Sequence, residues 1–354
     1  ARVRCAAAVR MHRRAAAATA TAAAAASAAA CCLADPSRED AYFAAARRVP
    51  LAAASAAWGQ CARAQLPAVA REPVLGAYCT AFGADASEAA LPLASYESLA
   101  SFFCRELRSD ARPIAEADAA RGERALVVSP CDGTVLASGQ VHGGDTSAAI
   151  GRIKGVNYSP HALLAVPKEA LPDRPLHYAV LYLAPGDYHR VHSPAALRFE
   201  RRRHVSGALL PVNPIVSARL PGLHAANERV VFEGSWEGGW MSMTAVGALG
   251  VGSIKLLADH ERGCSSRASE APGEPGHECK YSPARRSLAG EQVCAFELGS
   301  TVVLLFEAPS GWTFDGGALP PGTRVRVGQR LGTCGRTRST ARSALLRRSA
   351  AGFS

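Results

Sequence analysis

Ser300, His192 and Asp132 are a hydroxyl, a base and an acid, the residue types from which nucleophilic catalysis is assembled. Ser300 stands in Leu298-Gly299-Ser300-Thr301, a turn leading into Thr301–Phe306, whose β-branched and apolar residues read as a buried strand. A glycine before a serine sets the hydroxyl beside the least hindered peptide carbonyl available, and glycine adopts backbone angles that other residues tolerate only at a cost. Asp132 lies in Ser129-Pro130-Cys131-Asp132-Gly133-Thr134-Val135, where Asp-Gly marks a turn; alone, it reads as a turn former. The histidines come in a pair. His189 and His192 follow the strand-like Val180–Leu183, in a proline-flanked loop that also holds Asp187, Tyr188 and Arg190. A core does not need such a polar cluster. Together the three stretches have the logic of a nucleophilic triad, so a Ser/His/Asp hydrolase with an intact Ser300 is one reading. Ser300 lacks the G-x-S-x-G elbow of the α/β-hydrolase class.

The elements that must position these groups divide the chain in two. From Ala41 to Leu107 the pattern is mostly helical, broken by Pro67 and Pro73, and Leu99, Phe102, Phe103 and Leu107 fall on one helical stripe. After Pro113, short apolar runs alternate with Gly, Pro and Asn: Ala125–Val128, Leu176–Leu183, Val230–Phe232 and Thr244–Leu249. That spacing predicts an α+β fold, with a β-rich body of sandwich- or barrel-like sheets and an N-terminal helical part. Asp259–Ala289 is polar and aperiodic and reads as a surface insertion or disordered loop. Arg324–Gly332 reads as a strand and tight turn, and Thr333–Ser354 as a loose basic tail. Val327–Leu331 with Gly332 also resembles the turns of lipoyl- and biotinyl-type folds, which leaves a carrier or binding module as a third reading; no Lys follows Lys280 to hold such a cofactor.

The 354 residues suffice for a full core in one large domain or two lobes, and the formal net charge of +10, nearly all from Arg, suits an anionic partner: a phospholipid surface, a nucleic acid or an acidic substrate. Eleven cysteines without a CxxC pair fit reduced thiols. His260, Cys264, His277 and Cys279 lie close in sequence but match no common zinc spacing, so no metal is expected. Residues 1–34 carry five arginines and no acid before Asp35, with alanine from Ala15 to Ala30. That composition looks like an organellar transit peptide, and low-complexity disorder explains it equally. Ala15–Ala34 is long enough to span a bilayer, though alanine contributes little to insertion.

An ordered series of motifs resembles the phosphatidylserine decarboxylases, a pyruvoyl-dependent family. It comprises Tyr96, Phe102-Phe103-Cys104-Arg105, Ala111-Arg112-Pro113-Ile114, Ser129–Gly133, Ile153–Ser159, Asp187–Pro194, Asn227–Val230, Val246–Ala248, Val251–Ile254 and Leu298–Thr301. Cys294, where the family usually has Gly, and the long Asp259–Ala289 segment depart from the pattern. The resemblance implies that the chain cuts itself between Gly299 and Ser300. A beta chain, 35–299 after loss of 1–34, and an alpha chain, 300–354, would then form a heterodimer. His192, oriented by Asp132, would take the Ser300 proton, and residue 300 would become a covalent pyruvoyl group. Phosphatidylserine would form a Schiff base with it, lose carbon dioxide and leave as phosphatidylethanolamine. The resemblance makes His189 the proton donor or carboxylate-facing group; the residues alone do not choose between the two histidines. It further implies an anionic membrane surface as partner, no nucleic acid, and the mitochondrial inner membrane as location.

Overall fold

Ser300–Glu307 is apolar or β-branched at nearly every position, a composition that suits a strand covered on both faces and paired on both edges. The computed structural model, which describes residues 58–142, 150–153, 156–217, 222–248, 254–257, 275–297 and 300–335, places it there. In chain order the strands are β1 (Arg124–Val128), β2 (Gly133–His142), β3 (Ile150–Ile153), β4 (Val156–Tyr158), β5 (Pro175–Leu183), β6 (Arg190–His192), β7 (Leu197–Val205) and β8 (Arg229–Trp236). They continue with β9 (Gly239–Val246), β10 (Ile254–Leu256), β11 (Pro275–Ser287), β12 (Gln292–Phe296), β13 (Ser300–Glu307), β14 (Trp312–Phe314), β15 (Arg324–Val325) and β16 (Arg330–Cys334). An eight-stranded sheet runs β11-β7-β8-β9-β13-β5-β2-β15, with β13 inside it between β9 and β5. Two three-stranded sheets, β1-β16-β14 and β10-β12-β6, and the β3-β4 pair complete the β body, and all of these pairings are antiparallel. The fold is α+β and β-rich, as the spacing of the apolar runs predicts.

The helical part is smaller than its sequence pattern suggests. After a helical stretch at 58–63, α1 (Ala68–Phe82) runs straight through Pro73. Pro73 is the sixth helical residue, so its missing N–H forgoes one bond of the helix, to the Val69 carbonyl, and the helix continues past it. α2 (Leu99–Phe103) starts at Ser98 with a reciprocal cap: Ser98 and Ser101 each accept, through their hydroxyls, the other's backbone N–H at 3.1 Å. It ends after five residues, and Leu107 lies beyond it, bridging Ala89. The expected stripe is therefore cut short, with Leu99, Phe102 and Phe103 in the core. Short helices α3 (Pro160–Leu164), α4 (Pro214–Ser217) and α5 (Leu223–Ala226) follow. Leu66, Leu75, Tyr96, Leu99 and Phe102 form a satellite core, joined to the main one through Trp58 and Tyr78.

Three further expectations change. Asp259–Ala289 is not all loop: Pro275–Ser287 is β11, the edge strand beside β7. A period-2 hydrophobic signal is weak there because the edge carries charge; Glu278 faces Arg203 in the ladder and pairs with it at 3.2 Å. Thr333 and Cys334 belong to β16 rather than to a loose tail. The Thr244–Leu249 run ends as a strand at Val246. Residues 1–34, His260, Cys264, Leu298, Gly299 and 336–354 lie outside the described residues.

Candidate active site

Ser300 is the first residue of β13 and pairs with Leu183, the last of β5. Its side chain is fully buried and its Oγ has no hydrogen-bond partner; the same holds for Thr301 Oγ1. A buried hydroxyl without a partner costs about 1–3 kcal/mol; Ser206, Ser242 and Thr244 share that state, and Ser300 differs from them in standing at the mouth of β13 directly after Gly299. From Leu183 the chain turns at Ala184–Asp187, closed by Ala184 N–H donating to Asp187 Oδ2 at 2.8 Å and Asp187 N–H to the Ala184 carbonyl at 2.9 Å. It returns at His189, whose carbonyl accepts the Phe296 N–H at 2.9 Å. One segment, Leu183–His189, thus fixes the chain on both sides of Leu298-Gly299: Ser300 on one side, Phe296 on the other. Glu297 is held as well, by Arg63 and by Lys255 at 2.7 Å. Gly186 is required in this turn, because a Cβ would lie 2.0 Å from the Phe82 carbonyl at the end of α1.

The two histidines do different things. His189 Nδ1–H donates to the Asp187 carbonyl at 2.8 Å, which leaves Nε2 as the bare, basic nitrogen, and Nε2 has no partner. The ring is buried against Phe103, with centroids 4.0 Å apart. Burial pushes its pKa down to about 3, so the ring is neutral at physiological pH. His192 lies in β6 rather than in the loop. Its Nδ1–H donates to the Gly290 carbonyl at 2.7 Å, and its Nε2 accepts the Tyr188 hydroxyl at 3.0 Å. Burial lowers its pKa, and the Gly290 carbonyl and the Asp132 charge oppose that shift. In the β6–β12 ladder His192 pairs with Gln292, whereas His189 contacts Phe296. His192 is the last residue of β6, whereas His189 precedes the strand.

Asp132 does not hydrogen-bond His192. Its carboxylate accepts from Arg112 Nε at 3.0 Å, from Arg112 Nη2 and from the Val327 N–H at 2.8 Å. Arg112 in turn holds Glu88 at 2.8 Å. The bend at 130–132 that presents Asp132 depends on Gly133, where a Cβ would meet the Tyr182 carbonyl at 2.4 Å. The carboxylate still acts on His192 through space, because its charge favours the imidazolium. The expected orienting contact is thus replaced by a backbone carbonyl, that of Gly290, and Asp132 ties the segment before β2 to the one after β15.

Arg112 and Phe103 carry no catalytic signature in the sequence, and Tyr188 stands there only as one member of the polar cluster, with nothing to mark its contact with His192. Each sits inside a motif named above, but nothing local to those motifs distinguishes a hydroxyl, a guanidinium or a ring that touches a histidine or an aspartate from one that does not. The thiols nearby are protonated: burial raises Cys104 to about 11, and Cys131 and Cys294 rise too. No group of three or more metal-ligand residues is present among the described residues, and no helix among them is long and apolar enough to cross a membrane. Chemically, the arrangement offers a buried serine hydroxyl at a strand mouth, a neutral histidine with an unused nitrogen, and a second histidine with its tautomer fixed.

A family model described as phosphatidylserine decarboxylase matches residues 99–333. The mitochondrial phosphatidylserine decarboxylase proenzyme 1 of Arabidopsis thaliana is 37% identical over 335 residues, covering 80% of this chain and 72% of the relative. The mitochondrial proenzyme of Pongo abelii is 35% identical over 315 residues, with 81% and 73% covered. The mitochondrial proenzyme 1 of Schizosaccharomyces pombe is 33% identical over 365 residues, with 80% of each covered.

Proposed function

This chain belongs to the phosphatidylserine decarboxylase family, and from that premise we propose how its own residues make and serve the reactive group. The protein is a carboxy-lyase that converts phosphatidylserine to phosphatidylethanolamine and carbon dioxide, and it is mitochondrial, like the relatives named above. The placement at the inner membrane, against an anionic lipid surface, is part of the proposal, motivated by the +10 charge. The observation that carries the mechanism is the buried Ser300 Oγ, without a partner, at the head of the central strand.

In the precursor, Ser300 Oγ gives its proton to a base and attacks the Gly299 carbonyl carbon. The Gly299–Ser300 C–N bond breaks, and the acyl group passes from nitrogen to oxygen as an ester. A base then removes the Cα proton of residue 300, and the Cβ–Oγ bond breaks. Gly299 leaves as a carboxylate, and residue 300 becomes a dehydroalanine. Water hydrolyses its imine tautomer, releasing ammonia and leaving a pyruvoyl end on the 300–354 chain. No oxidant or reductant is consumed. We assign the first proton to His192, whose Nδ1–H is fixed on Gly290 so that Nε2 is the base. Tyr188, now donating to that Nε2, must swing away or relay the proton. Asp132 strengthens the base by its charge.

The pyruvoyl carbonyl supplies an electron sink for the carbanion left by departing carbon dioxide. The site fits such a group: Ser300 Oγ, Thr301 Oγ1 and His189 Nε2 are buried and without partners. His189 is neutral and its ring is held between Phe103 and the Asp187 carbonyl, so Nε2 can take a proton and deliver it where the carboxylate has left. Burial of the surroundings keeps water from competing for that carbanion. We further assign 35–299 and 300–354 as the two chains, with 1–34 as a dispensable targeting segment. Deleting 1–34 should leave self-cleavage and activity in detergent unchanged and abolish import; lost cleavage would place the segment in the fold. The function is tested by carbon dioxide release from carboxyl-labelled phosphatidylserine: the purified protein should release it, and Ser300→Ala should not. Equal release from both would refute the mechanism.

A further inference from the structure

Arg105 is 4% exposed, and two of its guanidinium nitrogens, Nε and Nη1, have no partner. The third, Nη2, reaches the Gly186 carbonyl at 3.4 Å, a long and weak bond, and the Phe102 ring lies 4.7 Å from the guanidinium carbon. A guanidinium stays charged and presents a planar fork of donors, and burying it without a counter-charge is costly. Other buried arginines of this chain are satisfied. Arg112 holds Asp132 and Glu88, Arg203 holds Glu233 and Glu278, and Arg229 caps four backbone carbonyls around α3 and α5. No carboxylate among the described residues pairs with Arg105. Asp187, two residues before His189, gives its carboxylate to Arg324 and to the Ala184 N–H.

The position of this charge matters. The chain leaving α2 lies along the catalytic segment: Phe103 packs against His189 with the rings tilted by 45°, Cys104 Sγ–H donates to the Phe296 carbonyl at 3.2 Å, and Arg105 reaches Gly186. Gly186 also carries the close approach of the Phe82 carbonyl, and Phe82 is 52% exposed. The unfilled fork therefore sits beside the turn that leads to His189, and the same turn packs against the end of α1 at Phe82.

We propose that Arg105 binds the phosphodiester of the phospholipid substrate through Nε and Nη1, holding the serine headgroup toward His189 and residue 300. This rests on the decarboxylase reading. The substrate has a second anion, the serine carboxylate, but a guanidinium on that group would stabilise the ground state, whose charge must be lost, more than the transition state. The phosphodiester keeps its charge throughout, so pairing it lowers KM without opposing the chemistry.

The test uses mature full-length enzyme carrying Arg105→Gln or Arg105→Lys, with self-cleavage scored on a gel. Two substrates are compared: dihexanoyl phosphatidylserine, and O-octyl-serine, which has the amine and carboxylate but no phosphate. Dihexanoyl phosphatidylcholine, whose quaternary nitrogen cannot react with a carbonyl, serves as a competitive probe. Arg105→Gln should raise KM for phosphatidylserine and Ki for the probe about ten- to a hundred-fold, the range for losing a hydrogen-bonded charge pair, with kcat within a few-fold. Arg105→Lys should fall between, and turnover of O-octyl-serine should be unchanged. Equal losses on both substrates, or a fall in kcat at constant KM, would overturn the proposal and move Arg105 to the carboxylate or to His189. If Arg105→Gln fails to self-cleave, Arg105→Lys decides alone: an unchanged Ki there overturns it. A wild-type enzyme that releases no carbon dioxide from phosphatidylserine would instead sink the decarboxylase reading, a different failure.

Discussion

Asp132→Asn separates two ways in which an aspartate can serve the cleavage. In the structure Oδ1 accepts from Arg112 Nε at 3.0 Å and the Val327 N–H at 2.8 Å, while Oδ2 accepts from Arg112 Nη2 and shares the Nε–H at 3.1 Å. The amide can keep its oxygen at the first position, but its NH2 then faces the Nη2 donor. The charge-assisted Nη2 bond is lost together with the shared Nε contact to Oδ2, and the new NH2 faces both donors, while Glu88 still neutralises Arg112. The loss of a bond to a charged group is about 1.5–3 kcal/mol, which for a body of this size lowers Tm by roughly 3–12 °C. His192 keeps its tautomer, because Gly290 rather than Asp132 accepts its Nδ1–H. Cleavage should therefore slow by about tenfold to a hundredfold, through lost charge beside the base, and not stop. Tm is measured on the uncut Ser300→Ala background, and cleavage by timed gels of freshly synthesised precursor. Arg112→Met should be worse for stability, by about 3–5 kcal/mol, because it leaves the buried Asp132 carboxylate without its cation, while Glu88 keeps Arg326. The reasoning fails if Asp132→Asn abolishes cleavage as completely as His192→Ala while leaving Tm unchanged. That outcome would mean that Asp132 orients His192 directly in the precursor.

The remaining predictions concern the histidines. His192→Ala should give an unprocessed, inactive chain, whereas His189→Ala should still cut and form the pyruvoyl end but turn over slowly; gels and labelled carbon dioxide release read the two steps, and the reverse pattern would exchange their roles. Acid should destabilise the fold through its buried histidines: His189 and His224 have pKa values of about 3 and about 4, against 6.5 in an unfolded chain. The unfolded state binds more protons between those values, so stability falls as pH drops from 6.5 toward 4, by up to about 1.4 kcal/mol per histidine per pH unit. Denaturant midpoints of Ser300→Ala across this range should show that slope, shallower in His224→Leu; an unchanged midpoint down to pH 4.5 would contradict it.

Much of the site was legible in the sequence because its chemistry is concentrated in short motifs. Thr301–Phe306 declares itself as a buried strand by composition, and β13 extends it by one residue at each end. Leu176–Leu183 and Ala125–Val128 are legible for the same reason. What stayed hidden is set by contacts distant in sequence. The Gly290 carbonyl that fixes His192 is 98 residues away, and the Val327 N–H on Asp132 is 195 away. Neither leaves a local trace. β11 was missed because an edge strand paired on one side can carry Arg, Lys, Glu and Pro, which looks like loop composition. Leu107 was misplaced because helical spacing continues in the sequence past the point where Cys104 leaves helical geometry.

The central claim is that residue 300 stops being a serine. Intact-mass and peptide mass spectrometry of active, purified enzyme tests it directly. Two chains are expected, the smaller beginning at residue 300 and lighter than a serine-initiated 300–354 chain by one ammonia, with its N-terminus reactive to a carbonyl reagent such as borohydride or phenylhydrazine. A single uncut chain carrying Ser300, in protein that releases carbon dioxide from phosphatidylserine, would contradict it.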